Sequence, residues 1–265
     1  MRYGCCGSMN AVDPDGTGIE IADQLQEMGY DYVELSLAHL TSCSDQDFAT
    51  VKKRLLASGL RCEACNNFFP ATIRLTGDEI NPAAINGYVE KALQRAGSLG
   101  VKVVVFGSGS AKTVPAGFPM RSAWQQLVSL LRDIDAVAGQ NGITITIEPL
   151  RQAECNIVNT VREGLTLAKE VNRPNIKLLA DFYHMTEQRE DPVILLEAQE
   201  YIRHIHFANP TGRTFPRNAT EANYLPFFAY LQQINYQARV SIEAYTKDFA
   251  ADAVAALQLM QKIGN

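Results

Sequence analysis

The sequence predicts a (β/α)8 barrel, a single TIM-barrel domain over residues 1–265, and three observations carry that expectation. Short β-branched or apolar runs recur along the chain, amphipathic helical stretches separate them, and glycines stand where a helical pattern gives way to the next run. The runs number eight, near 2–6, 31–36, 61–65, 102–106, 143–148, 176–181, 202–207 and 238–243. Eight β/α units close a barrel, and the chain has the usual length of about 250 residues for that fold.

Taken in order, the first run is RYGCC, and the second, DYVELS, follows Gly29-Tyr30. The third, RCEAC, follows Gly59-Leu60, and the fourth, KVVVF, follows Gly100-Val101. Each of these glycines, like Gly142 before the fifth run, stands where a helix is expected to end in a left-handed cap. Between the fourth and fifth runs Trp124, Leu127, Leu130, Leu131, Ile134, Val137 and Ala138 recur at helical spacing, which predicts a helix over Ala123–Gln140 with one buried face. The last four runs, ITITIE, IKLLAD, IRHIHF and ARVSIE, each carry an ionisable residue at or near their C-terminal end. No linker or shift of composition divides the chain. Residues 66–84 and 107–122 are long for connections after a strand, so they are expected to be lids or substrate walls on the mouth where barrels build sites.

Hydrophobic residues make up 46% and charged residues 20%, the balance of an ordinary globular protein. A net charge of −5 gives no electrostatic footprint for nucleic acid or an anionic membrane. No run reaches the ~18 apolar residues of a membrane span, and the N-terminus lacks a signal-like apolar stretch; the expectation is a cytoplasmic protein without nucleic-acid or membrane partners. Cys5, Cys6, Cys43, Cys62, Cys65 and Cys155 are too sparse for a disulfide framework, so reduced thiols are expected. Cys62 and Cys65 form a lone CxxC, expected on opposite faces of a strand as semi-buried thiols.

Glu148, Asp181, His206 and Glu243 close four successive strands, and the ends of those strands converge on one mouth. Each is held next to apolar strand residues, where an unpaired charge is very costly and a bound cation removes the cost. Three carboxylates and one imidazole leave a ligand charge of −3, which favours one divalent ion: Mn2+ first, with Mg2+ or Co2+ as alternatives and Zn2+ last. His204, two residues before His206, faces the same way and is read as a hydrogen-bonded interior residue.

These residues also resemble a known family, the xylose-isomerase-like sugar isomerases and epimerases, and within it the ketose 3-epimerases related to tagatose and psicose 3-epimerase. Glu148-Pro149-Leu150 with Glu154 looks like the family's EP motif, and Asp181-Phe182-Tyr183-His184-Met185 like its D-x-x-H-M. His204-Ile205-His206 resembles its H-x-H, and Glu243-Ala244-Tyr245 its terminal E-P-F, with Ala and Tyr in place of Pro and Phe. The resemblance implies that Glu148, Asp181, His206 and Glu243 bind the metal. It implies that Glu154, His184 and Arg213 hold the hydroxyls of a small sugar or keto-sugar, with Arg217 the alternative to Arg213. It also implies a homodimer or homotetramer, and leaves Cys6, Glu34, Cys65, Asn66 and Asn67 as candidate lining residues.

The chemistry follows from the site. A C–H beside a carbonyl becomes acidic when a cation stabilises the enediolate left by the departing proton, and two carboxylates can then serve as base and acid. Glu148 and Glu243 are the expected pair. Alternatives with similar constellations are a hydroxypyruvate isomerase, an inosose dehydratase, a sugar sensor without catalysis and, more distantly, an abasic-site endonuclease. The endonuclease needs three metals, for which four histidines are too few. No glycine-rich phosphate cradle follows strand seven or eight, which favours an unphosphorylated substrate.

Overall fold

A computed structural model describes residues 1–264. Eight strands close a barrel in sequence order, every neighbouring pair parallel. They are β1 (Arg2–Cys6), β2 (Tyr32–Ser36), β3 (Arg61–Asn66), β4 (Val103–Phe106), β5 (Thr144–Ile147), β6 (Ile176–Asp181), β7 (Ile202–Phe207) and β8 (Arg239–Ile242). The eight expected runs fall on these strands within a residue or so at each end. The helices are α1 (Ala22–Met28), α2 (Leu37–Ser42), α3 (Asp45–Ser58), α4 (Pro82–Ser98), α5 (Gly109–Lys112) and α6 (Met120–Gln140). They continue with α7 (Val161–Val171), α8 (Phe182–Glu187), α9 (Ile194–Ala198), α10 (Tyr224–Gln233) and α11 (Phe249–Ile263). No helix among the described residues is long and apolar enough to cross a membrane.

The helices form because each presents one apolar stripe to the outward faces of the strands. On α6 that stripe is Leu127, Leu130, Leu131, Ile134 and Ala138, with Trp124 and Val137 half-buried at its margin. The helix begins at Met120, three residues before the apolar periodicity is legible, because its first turn is exposed. Gly29, Gly59, Gly100 and Gly142 all adopt positive φ, between 64° and 88°, as the strand-entry punctuation predicted.

The CxxC expectation is corrected by a β-bulge. In the β2–β3 ladder Val33 pairs with Cys62 and Glu34 with Ala64, so Glu63 is an extra residue on β3. The bulge cancels the alternation across three positions: Cys62 and Cys65 are both fully buried, belong to the same core between barrel and helices, and bring their sulfurs to 3.9 Å. Cys65 therefore does not line the mouth. The displaced Glu63 joins Arg2 at 2.7 Å and Arg239 at 2.8 Å, an ion-pair cluster at the N-terminal ends of β1 and β8 that occupies the face opposite the site.

Candidate active site

At the C-terminal mouth, Glu148 and Glu243 each stand one residue beyond their strand, and the backbone still continues the ladder. Glu148 N donates to Phe106 O at 3.2 Å, and Glu243 N to Phe207 O at 3.2 Å. Asp181 ends β6 and caps α8, its Oδ1 accepting from Tyr183 N at 2.7 Å. That cap explains the D-x-x-H spacing. One helical turn places His184 over its capping residue, with Nε2 3.5 Å from Asp181 Oδ2.

Glu148, Asp181, His206 and Glu243 each offer a ligand atom, and these atoms all lie within 4.8 Å of one another. His206 Nδ1 is 3.0 Å from Glu148 Oε1 and 3.1 Å from Glu243 Oε2. All four residues are buried. Gly107 makes the arrangement sterically possible, because a Cβ there would come within 2.1 Å of Glu148 Oε2.

Burial and the neighbouring Glu243 carboxylate push Glu148 above the usual carboxylate range. Burial acts the same way on Glu243, but His206 and Arg213, with hydrogen bonds from His206 and Asn66, outweigh it and hold Glu243 well below. Burial, against the opposing pull of Arg213 and His206, carries Asp181 up to about 6. Burial would lower His206, yet Glu243, Glu34, Cys6 and Glu148 together hold its imidazole well above its ordinary value. The two glutamates are thus set apart, and the cluster as a whole draws positive charge.

The donor set fits a divalent ion. Asp181 Oδ2 is buried with no hydrogen-bond partner, its neighbours His184 and the cationic Arg213 standing off at 3.5 and 3.6 Å. Four carboxylates are buried at the mouth or directly behind it: Glu148, Asp181 and Glu243, with Glu34 behind His206. Arg213 and the fully buried Lys112, whose Nζ donates to Glu148 O at 2.9 Å, are the neighbouring cations, and a dication balances what remains.

A cavity of about 390 Å³ opens beside the cluster, lined by Asn67, Ser108, Ser110, Glu154, His184 and Arg213 together with Glu148 and Glu243. A larger, more apolar groove of about 550 Å³ lies away on the flank, between α4 and α6. The two long connections wall the cavity, and they brace each other: Leu75 N donates to Ala111 O at 2.9 Å, and Phe69 N to Ser108 Oγ at 3.0 Å. His184 accepts from Arg151 N through Nδ1 at 3.3 Å, so its neutral ring carries the proton on Nε2, which has no hydrogen-bond partner in the buried wall. Burial keeps that ring neutral, lowering its pKa to about 4.

Arg213 sits at φ 50° and its guanidinium lies 4.8 Å over the Tyr183 ring. It hydrogen-bonds Glu243 and comes within 3.8 Å of Glu154. Arg217 is instead exposed, paired with Glu221 and Asp252 outside the cavity. Of the other candidate lining residues, Asn67 reaches the cavity and Asn66 donates to Glu243 Oε1 at 2.8 Å. Cys6 and Glu34 lie behind His206. Lys112 and Gly107 went unnoticed in sequence because their roles arise only where β4 and β5 meet.

A family model described as xylose isomerase-like TIM barrel matches residues 22–263. The chain is 26% identical over 256 residues to a ketose 3-epimerase of Arthrobacter globiformis, covering 95% of this chain and 86% of that protein. It is 28% identical over 221 residues to an L-ribulose 3-epimerase of Methylomonas sp. (strain DH-1), covering 83% and 76% respectively. A crystal structure of a D-psicose 3-epimerase in the presence of D-fructose has the same fold, with a TM-score of 0.86 at 21% identity over 100% of both chains. The chain belongs to the xylose isomerase-like TIM barrel family.

Proposed function

We propose that this protein is a divalent-metal-dependent sugar epimerase that inverts the carbon next to the carbonyl of a small, unphosphorylated ketose. The observation that carries the reading is the pair of buried carboxylates, Glu148 and Glu243, each about 3 Å from His206 Nδ1 and both facing the same polar cavity. Relatives named as ketose and ribulose 3-epimerases support it. Glu148, Asp181, His206 and Glu243 would hold the ion, with Mn2+ the favoured occupant. A cation there would polarise the substrate carbonyl and the adjacent hydroxyl and so acidify the C–H between them.

The chain's own residues supply the rest. Glu148 and Glu243 move the proton, each as base toward one epimer and as acid toward the other, since an epimerase runs in both directions. The Nε2 proton of His184 and the guanidinium of Arg213 donate to substrate oxygens, and Glu154 accepts from a hydroxyl. The braced loops keep bulk water from the reacting carbon. A three-metal endonuclease is disfavoured: among the described residues the only other ligand cluster is Cys6, Glu34 and His206, which shares its histidine with the first.

Metal analysis combined with a ketose panel tests the proposal. The purified protein should carry one divalent ion per chain, chelation should abolish epimerisation, and Mn2+ or Co2+ should restore it. Full activity after rigorous metal removal sinks the metal-dependent reading. A cytoplasmic location and a homodimer or homotetramer belong to the same proposal, and sedimentation checks the assembly.

A further inference from the structure

Behind the metal-competent cluster, the barrel interior holds a carboxylate that the proposed chemistry does not use. Glu34, on β2, is wholly buried and is met by three polar side chains within hydrogen-bond distance. His204 Nε2 lies 2.8 Å from Oε2, Ser241 Oγ donates to Oε2 at 2.6 Å, and His206 Nε2 lies 3.0 Å from Oε1. Tyr32 OH extends the chain, 2.8 Å from Ser241 Oγ. One carboxylate thus ties β2 to both histidines of β7 and to β8, two residues before Glu243.

An imidazole that ligates an ion must give up one proton, which leaves one N–H and one lone pair, and only the lone pair can ligate. His206 turns Nδ1 toward Glu148 and Glu243 and Nε2 toward Glu34. With acidic oxygens on both sides, the ring alone has no reason to prefer the proton on Nε2. A proton on Nδ1 would donate to Glu148 or Glu243 and close the ligand position. Glu34 decides the matter, since it is wholly enclosed and its strongest interaction is to accept a proton-bearing nitrogen. His204 behaves consistently: its Nδ1 has no partner, as expected of a lone pair whose ring has given its single N–H to Glu34.

We propose that Glu34 is a positioning residue that fixes His206 with its proton on Nε2, presenting the Nδ1 lone pair to the cluster of Glu148, Asp181 and Glu243. The inference rests on the metal-binding reading above. It makes Glu34 the carboxylate of a carboxylate–histidine–metal relay, whose loss typically weakens metal binding 10–100-fold, as an order-of-magnitude expectation.

Calorimetric titration of the metal-free protein with Mn2+ tests it, comparing wild type with Glu34→Gln. The variant should bind Mn2+ about 10–100-fold more weakly while the Tm of its metal-free form is unchanged or higher, because a buried charge has been removed. In the Mg2+-loaded protein, an exchange-protected imidazole N–H resonance assigned to His206 should be present in wild type and lost in Glu34→Gln. Unchanged Mn2+ affinity overturns the proposal. So does weaker affinity accompanied by a matching fall in metal-free Tm, which would make Glu34 merely structural. Two ions per wild-type chain, falling to one in Glu34→Gln, would make Glu34 a ligand and also overturn it. If wild type itself binds no ion, the parent reading fails instead. Should Glu34→Gln not fold, Ser241→Ala removes one of the donors that hold Glu34 while keeping its charge. Weaker Mn2+ binding then supports the proposal, and unchanged binding overturns it.

Discussion

Arg213 and Arg217 lie four residues apart, and no periodicity in their loop says which of them enters the site. The structure separates them by their partners: Arg213 is held among Asp181, Glu243 and Glu154, whereas Arg217 faces Glu221 and Asp252 in solvent. Arg213→Ala should therefore raise KM by at least about tenfold, the loss of one charged hydrogen bond of ~1.5–3 kcal/mol, and lower metal content far less. Arg217→Ala should leave steady-state kinetics near wild type, and the reverse outcome would move the substrate contact to the other arginine. Glu148, Asp181, His206 and Glu243 were legible because each interrupts an apolar β-run at the same relative position. Glu34 was named only as a lining residue, since a carboxylate within DYVELS reads equally well as exposed until β7 and β8 are known to lie across the barrel from it. Gly107 and Lys112 carry no local signal; one matters through the carboxylate it admits, the other through a carbonyl 36 residues away.

Strands and helices were the most legible layer, because β-branched runs and the 3.6-residue period report directly on which face is buried. The bulge at Glu63 was not, since an extra residue in one strand leaves composition and alternation almost untouched while reversing the face of everything beyond it. That is why Cys62 and Cys65 were expected apart and lie together. The glycine caps show the opposite case, where a local rule suffices. Gly59 has φ 74° and open space around a notional Cβ, so its requirement is conformational alone. Gly59→Ala should destabilise the protein by about 1–2 kcal/mol, the cost of a left-handed L-residue, with unchanged activity. Urea denaturation reads this directly, and a loss well beyond that range would mean that the α3–β3 junction carries a packing role as well.

At the scale of the whole molecule, barrel closure brings residues nearly a hundred positions apart, Glu148 and Glu243, to either hand of His206 Nδ1. An opposite mouth closed by Arg2, Glu63 and Arg239 leaves the chemistry to one end. The fold explains why a set of acidic groups too costly to bury singly can be buried together, provided that a cation joins them. The identity of the sugar was not legible, because it depends on the shape of a cavity walled by two loops without periodicity. The central claim, that two carboxylates exchange a proton at the carbon that inverts, is tested most directly by following a ketose substrate in D2O with the metal-loaded enzyme. Deuterium should appear at the carbon that changes configuration, and Glu148→Gln or Glu243→Gln should each slow net inversion by roughly 10²–10⁴-fold while metal stays bound. Inversion without deuterium at that carbon, or near-native turnover in both metal-loaded variants, would contradict the account.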